Sequence, residues 1–274
     1  MKKIAPHPKP KTIVLAAPSG YKALWFTFAL LGLIFAAATL ARAQSFDHSG
    51  FDALLKKHVR ENRVDYEGLK KDQGALNAYL APARGINGRA LSGNEGLAFW
   101  INMYNAWTLK LILEKYPEVG SIKDYGSIFS SPWDREFVLI GGEILTLGEI
   151  EHKILRKEYR DPRIHFAINC ASISCPPLIS EAYRPQTLDA QLDKATIDFI
   201  NGPGNTFLKE GKLYVSRIFK WYKSDFKGTR GYIQQYARGD LAKAFYEKSG
   251  PLKVVFMAYD WSLNDIAHQG AAIK

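Results

Sequence analysis

The sequence predicts an α+β fold: one domain in which a mixed or mostly antiparallel sheet with β-hairpins packs against several helices, after an N-terminal signal peptide. Three observations predict it. Apolar residues recur at helical spacing in several segments, short apolar runs lie between those segments, and two pairs of such runs flank a glycine-containing turn. Hairpins interspersed with helices are typical of α+β proteins, in which the strands need no helical crossovers.

The N-terminal segment predicts export. Residues 1–22 contain five lysines and no acidic residue, and residues 23–41 form a 19-residue apolar run. Residues 41–43, Ala-Arg-Ala, place small side chains at both positions of a signal-peptidase site, so we expect cleavage after Ala43 and a periplasmic or secreted domain over 44–274. The alternative is an uncleaved anchor in the inner membrane, because 19 apolar residues are just long enough to span a bilayer.

Charge and cysteine content narrow the possible partners. The chain has 37 Lys and Arg against 27 Asp and Glu, but six of the basic residues and none of the acidic ones lie in residues 1–43. The remaining balance is 31 − 27 = +4, which does not indicate a nucleic-acid partner. Two cysteines are too few for a disulfide-dense scaffold, so apolar burial must hold the fold together. No cofactor and no metal is expected.

The first half of the mature chain is expected to be helical. Apolar residues over 51–59 recur at helical spacing, and a second helical segment follows at 72–80. Ser92 and Glu95 have the spacing of a capping box, in which each side chain bonds the other residue's backbone N–H. They should start a long helix that ends before Pro117.

The second half mixes hairpins with helices. Residues 136–145 form two apolar runs around Gly141-Gly142, the pattern of a β-hairpin. Thr146 and Glu149 form another capping box, which opens a helix over 149–159. The elements expected after it are a buried strand at 163–169, a helix at 187–200, a hairpin at 206–216 turning at Glu210-Gly211, two short helices within 229–248 and a strand at 253–260.

The long helix carries two asparagines, Asn102 and Asn105, on a surface that should be buried, because its other faces are apolar nearly all round. A buried amide without partners costs about 1–3 kcal/mol, so both side chains need hydrogen bonds. They could bridge the backbone of neighbouring loops. They could instead line a pocket and orient a substrate or a catalytic histidine.

Five segments combine polar and aromatic residues in distinctive ways: FWINMYNAWTL, LTLGEIEHKILR, DPRIHFAINCASISCPPL, SRIFKWYKSDF and YDWSLN. In this order, between about residues 90 and 264, they resemble the motifs of the uncharacterised family catalogued as domain of unknown function 547. The resemblance implies one shared fold and a set of motif positions but no reaction. Those positions are occupied here by Asn102, Asn105, Glu151, His152, Arg163, His165, Cys170, Cys175, Trp221 and Asp225.

Cys170 is the candidate nucleophile, since it follows the expected strand at 163–169, where a sheet can position a side chain and a loop can expose it. A reactive thiol needs a neighbour that lowers its pKa, and His165 or His152 could serve. Cys170 and Cys175 could instead form a disulfide, which an oxidising compartment favours. Two further alternatives are a zinc site of both cysteines and both histidines, whose spacing matches no common ligand pattern, and a redox-active pair.

Two functional classes follow. One is a thiol-dependent hydrolase or acyl transferase that acts on peptide-like amides such as peptidoglycan stems, with Cys170, His165 and His152 as catalytic candidates. The other is a non-catalytic envelope domain, stapled by Cys170–Cys175, that binds a peptide, a glycan or a partner protein. The residues expected to bind a ligand are Asn102, Asn105, Glu151, Arg163, Trp221 and Asp225. Asp134 and Asp260 could complete a catalytic group, although loop aspartates usually bond nearby backbone.

Overall fold

The computed structural model describes residues 45–247, 250 and 252–267. Its first elements are short helices and a hairpin of two-residue strands. The signal peptide and cleavage site predicted for residues 1–43 lie outside the described residues. The first elements are α1 (Ser49–His58), β1 (Val59–Arg60), β2 (Arg63–Val64), α2 (Tyr66–Lys71) and α3 (Gln73–Leu80). Within these ranges, no helix is both long and apolar enough to cross a bilayer.

The long central helix, α4 (Gly93–Lys115), is buried along most of its length, as its sequence predicts. The capping box predicted at its start is wrong. Ser92 makes no capping hydrogen bond, because Gly93 follows it with a φ of 56° and turns the chain before the helix begins. Glu95 instead accepts a hydrogen bond from the backbone N–H of Phe46 at 3.1 Å, so it fastens the start of the domain to α4.

The helix after the first hairpin is confirmed, but its geometry differs from the prediction. Thr146 and Glu149 form the predicted capping box at the start of α5 (Leu147–Glu149). The chain then continues as a π-helix over Ile150–Tyr159 and ends at Arg160 in a left-handed conformation. π-Helical turns are rare and frequently occur at functional sites, because the wider turn redirects side chains. This π-helix packs against α4.

The strands form three small sheets rather than one. In the first predicted hairpin, β3 (Val138–Ile140) pairs with β4 (Glu143–Leu145) across Gly141-Gly142, whose positive φ angles suit a tight two-residue turn. In the second, β5 (Thr206–Lys209) pairs with β6 (Lys212–Val215). β7 (Lys253–Phe256) then joins β6 in parallel, so this sheet is mixed. The α+β class is confirmed.

The strand predicted at 163–169 is wrong, because residues Pro162–Phe166 form a 3₁₀ helix that Asp161 caps. The alternating pattern has another cause. Ile164 and Ile168 belong to the apolar cluster around α4, whereas Phe166 belongs to a second cluster beside the mixed sheet. The chain therefore passes between two cores, with Ile164, Ala167 and Ile168 in the first and Phe166 in the second, so its apolar side chains are buried without a strand.

The second core is completed by the C-terminal helices, which are α6 (Leu188–Asn201), α7 (Ile218–Trp221), α8 (Thr229–Tyr236) and α9 (Gly239–Glu247). Their apolar side chains pack on the mixed sheet around Phe166, Phe199 and Phe219. Further 3₁₀ segments lie at Ala81–Gly85, Gly88–Ala90, Ile122–Tyr125 and Pro132–Asp134. The described residues form one compact unit.

Candidate functional site

A cavity of about 390 Å³ is lined by residues from both cores. Its walls come from α4, the π-helix, α7, the segment that contains both cysteines and the segment after β7. The predicted site residues that line it are Glu151, His152, His165, Cys170, Cys175 and Trp221. The structure thus brings every catalytic candidate to one place, although they come from separate elements.

The cysteine loop, residues 169–176, is held in shape by Asn169. Its backbone N–H donates to Oδ1 of Asn105 at 2.8 Å, and its Nδ2 donates to the carbonyl of Pro176 at 2.8 Å. Its Oδ1 accepts a hydrogen bond from the N–H of Ala171, also at 2.8 Å. One buried amide therefore closes the loop, and α4 positions that amide through Asn105.

Ala171, directly after Cys170, adopts a φ of 59°, which is the left-handed region. For a residue other than glycine this conformation costs about 1–2 kcal/mol. The N–H bond to Asn169 and the hydrogen bond from Asn264 N–H to the Ala171 carbonyl, at 3.1 Å, hold it there. Strained backbone of this kind concentrates at functional sites, where it fixes the direction of a reactive side chain.

The sulfur of Cys170 has three polar neighbours. Sγ of Cys175 lies 2.8 Å away, Oγ of Ser172 3.0 Å and the hydroxyl of Tyr259 3.2 Å. Burial raises the pKa of the Cys170 thiol, but hydrogen bonds from these three groups outweigh it and hold that pKa below its usual value. The pKa of Cys175 is raised by burial and by the neighbouring Cys170. Of the two cysteines, Cys170 is therefore the one that loses its proton more readily.

The predicted disulfide is not formed, because Cys170 and Cys175 are both free thiols in the structure. The backbone of the loop explains the approach of the two sulfurs. The N–H of Cys175 bonds the carbonyl of Ser172, and the N–H of Cys170 points at Sγ of Cys175 from 2.9 Å. The fold thus places Cys175 as a hydrogen-bonding partner of Cys170.

His165 is 3% exposed and is fixed from two sides. Its Nε2–H donates to Oδ2 of Asp225 at 2.8 Å, and its ring stacks on Tyr222 with centroids 3.9 Å apart. Burial lowers its pKa more than Asp225 raises it, so the imidazole is neutral near pH 7. Nδ1 has no hydrogen-bond partner among the described residues and therefore offers a free lone pair.

Asp225 connects both histidines. Its carboxylate accepts two hydrogen bonds from Arg156, at 2.7 Å and 2.9 Å, besides the one from His165. His165 and then Arg156 hold the pKa of Asp225 well below its usual value, so it stays ionised. Arg156 also donates to Nδ1 of His152 at 3.1 Å, which leaves His152 at the exposed end of the chain of contacts.

The predicted pairing of Cys170 with an imidazole is not a hydrogen bond in this structure. The polar partners of its sulfur are Cys175, Ser172 and Tyr259, while His165 shares the cavity without such a bond. Catalytic hydrogen bonds are often long before substrate binds, so a structure without this bond is compatible with a catalytic pair.

Four predicted ligand-binding residues lie away from the cavity lining, namely Asn102, Asn105, Arg163 and Asp225. Asn102 bridges the N–H and the carbonyl of Tyr183, and Asn105 bridges Asn169 and Ala167, which is the loop-bridging alternative. Arg163 is held by three carboxylates, those of Asp161, Asp189 and Asp193. Neither Asp134 nor Asp260 is the partner of His165, because Asp225 takes that place. Asp260 accepts a backbone hydrogen bond from Ser262, and Asp134 is exposed.

Replacing Asn105 by alanine should lower the free energy of unfolding by about 3 kcal/mol, because it leaves a buried N–H and a buried carbonyl unpaired. Urea denaturation measures this. The matched control is Asn102→Ala, which removes a similar bridge on the same helix. Only Asn105→Ala should also slow alkylation of Cys170, since only Asn105 bonds the cysteine loop. An equal loss of Cys170 reactivity in both variants would contradict this role.

Several cavity residues were not predicted: Tyr104, Tyr222, Tyr259 and the tryptophans Trp133 and Trp261. Two of them had a signal in the sequence, because Tyr259 and Trp261 flank Asp260 in a quoted motif just after a strand. No group of three or more His, Cys, Asp or Glu side chains within the described ranges is arranged to hold a metal ion, so the four-ligand zinc alternative is not assembled.

No curated protein and no solved structure matches this chain significantly. A family model described as "Protein of unknown function, DUF547" matches residues 89–200. The matched part contains three of the five motifs and supplies α4, the π-helix and the cysteine loop, and hence Glu151, His165 and both cysteines. This match supports the assignment of residues 89–200 to the DUF547 family of proteins of unknown function.

Proposed function

We propose that this protein is a thiol-dependent hydrolase or acyl transferase that acts on peptide-like amides outside the cytoplasm. One observation carries the proposal: a cysteine with a lowered pKa and a buried neutral histidine with a free Nδ1 line the same cavity. Asp225 orients that histidine through Nε2, as the third member does in thiol and serine hydrolases. The location outside the cytoplasm is inferred only from the N-terminal leader sequence.

Acylation would begin when Cys170 gives up its proton to Nδ1 of His165, directly or through one water. The thiolate attacks the carbonyl carbon, so a C–S bond forms and the carbonyl electron pair moves to oxygen. Hydroxyl groups of Ser172 and Tyr259, which contact Sγ of Cys170, would donate hydrogen bonds to that oxyanion. The intermediate collapses as the C–N bond breaks, and His165 returns its proton to the leaving nitrogen.

Deacylation would reverse the roles. Water, or an acceptor amine or hydroxyl in a transferase, attacks the thioester on Cys170 while Nδ1 of His165 takes its proton. The C–S bond breaks and the thiolate leaves, again stabilised by Cys175, Ser172 and Tyr259. Asp225, which stays ionised, stabilises the imidazolium in both steps.

Alkylation tests the proposal without a known substrate. We expect iodoacetamide to modify Cys170 of the native, reduced protein at least about tenfold faster than Cys175, because the thiolate is the reacting form. The rate should rise with pH with a midpoint below that of an unperturbed cysteine, since hydrogen bonds lower the pKa of Cys170. Mass spectrometry of peptides from timed samples measures both rates.

The denatured protein is the control, because both cysteines should then react at similar rates. Preferential modification of Cys175, or an unreactive Cys170, would overturn the nucleophile. Protein isolated without reductant in which both cysteines are oxidised to a disulfide would instead favour the stapled, non-catalytic binding domain.

A further inference from the structure

We infer that the cavity binds an organic ammonium group, so that the substrate carries an amine beside the amide that Cys170 attacks. The chemistry of attack rests on the proposed function, but the ammonium site does not. It rests on one buried carboxylate, Glu151, and on the aromatic rings of Trp133, Trp221, Tyr259 and Trp261, which we call the aromatic wall.

Glu151 is a buried acid with one carboxylate oxygen that no hydrogen bond from the described part of the chain occupies. It is 4% exposed, it lines the cavity, and its Oε1 has no hydrogen-bond partner among the described residues. Glu151 forms no ion pair with a Lys, Arg or His side chain among the described residues. Buried carboxylates are normally paired, because removing a charge from water without a partner is costly. The unused oxygen therefore indicates a partner that comes from outside the chain.

The other oxygen of Glu151 is already fixed. Oε2 accepts a hydrogen bond from the hydroxyl of Tyr104 at 3.4 Å, and that hydroxyl accepts one from Nε1 of Trp133 at 3.2 Å. Tyr104 is fully buried in the core, so this chain holds the carboxylate in one orientation. Oε1 is the remaining acceptor, and it is prepositioned rather than free to turn toward the protein.

The aromatic wall extends from Trp133 to the sulfur of Cys170. Ring centroids of Trp133 and Trp261 are 5.7 Å apart, those of Trp261 and Trp221 5.6 Å, and those of Trp221 and Tyr259 4.8 Å. Tyr259 then contacts Sγ of Cys170 at 3.2 Å. Ammonium groups bind favourably over such ring faces. Trp261 already binds one on this protein, since Nζ of Lys123 lies 4.2 Å from its centroid.

The charges around the cavity favour a cation over a neutral ligand. Of the described residues that line it, Asp134 and Glu151 are acidic and none is lysine or arginine. Arg156 points its guanidinium at Asp225. His165 is neutral because burial lowers its pKa. A hydroxyl or peptide N–H could bond Oε1, but an ammonium group would also bind to the ring faces of the aromatic wall.

Two matched probes test the site. N-acetyl-lysine methylamide and N-acetyl-norleucine methylamide differ only by the terminal ammonium group, and isothermal titration measures the binding of each to the reduced protein. We expect the lysine probe to bind at least about tenfold tighter, a factor equivalent to about 1.4 kcal/mol. Glu151→Gln should abolish this preference, whereas Asp134→Asn, which removes an exposed acid at the same cavity, should keep most of it.

Trp221→Leu gives a second variant in case Glu151→Gln does not fold, because Trp221 is 43% exposed. It should weaken lysine-probe binding by about threefold and leave the norleucine probe unchanged. Equal affinities of the wild type for both probes would overturn the inference, and so would a preference for N-acetylglucosamine over the lysine probe. A lysine preference with an unreactive Cys170 would keep the ammonium site and reject the thiol enzyme.

Discussion

Replacing Cys170 by alanine should lower the rate of acyl transfer from a p-nitrophenyl ester of N-acetyl-lysine by about 10³-fold or more. The ester supplies an activated carbonyl, so its turnover depends on the nucleophile and little on leaving-group protonation. Without the sulfur, no thioester forms, and only attack by water remains. Release of p-nitrophenol, followed at constant pH with a reductant present, measures the rate.

Cys175→Ala is the matched control, because burial and the neighbouring Cys170 raise the pKa of Cys175, which makes it the poorer nucleophile. We expect it to keep activity within about tenfold of the wild type, while the midpoint pH for alkylation of Cys170 moves upward, since one of three donors is lost. If the loss were as large in Cys175→Ala as in Cys170→Ala, the assignment of a single nucleophile would be wrong.

The reductant is required for a structural reason. The two sulfurs lie 2.8 Å apart, so an oxidant that removes two electrons and two protons would join them with little movement. Oxidation would then consume the nucleophile. Cys175→Ala cannot form this bond, so its activity should survive omission of the reductant better than that of the wild type.

The parts of the fold that the sequence predicts correctly are those that depend on local chemistry. Gly141-Gly142 and Glu210-Gly211 adopt the positive φ angles that a two-residue hairpin needs, and few other residue pairs do so as readily. The capping box of Thr146 and Glu149 forms because both residues have the required conformation. The same four-residue pattern fails at Ser92, where Gly93 changes the path of the chain.

The errors arise where long-range packing decides. Alternation around His165 reflects contact with two separate cores rather than the two faces of a strand. The partner of that histidine, Asp225, lies 60 residues further along the chain, and no spacing rule connects them. The role of Glu151 also depends on long-range packing. Its spacing of four residues from Leu147 and from Leu155 predicts burial in an α-helix. Only the assembled cavity reveals that its Oε1 lacks a hydrogen-bond partner among the described residues.

The Asp225→Asn substitution should lower kcat/KM for the p-nitrophenyl ester of N-acetyl-lysine by about 10²- to 10⁴-fold, with little change in KM. The carboxylate of Asp225 accepts the Nε2–H of His165 and so keeps the Nδ1 lone pair free. The amide of Asp225→Asn can turn its NH₂ group toward Nε2, which would place the imidazole proton on Nδ1 and remove the base. The loss of the pair with Arg156 adds to this effect.

The pH profile and a control variant separate catalysis from structural damage. The acid limb of kcat/KM should rise as His165 loses its proton, and because burial lowers the pKa of His165, the midpoint should lie below that of an unperturbed histidine. His152→Gln, which changes the exposed histidine on the other side of Arg156, should reduce kcat/KM by less than about threefold and leave this limb in place. If kcat/KM fell further in His152→Gln than in Asp225→Asn, the general base would be His152 rather than His165. Arg156 would then act by orienting the His152 ring rather than by holding Asp225.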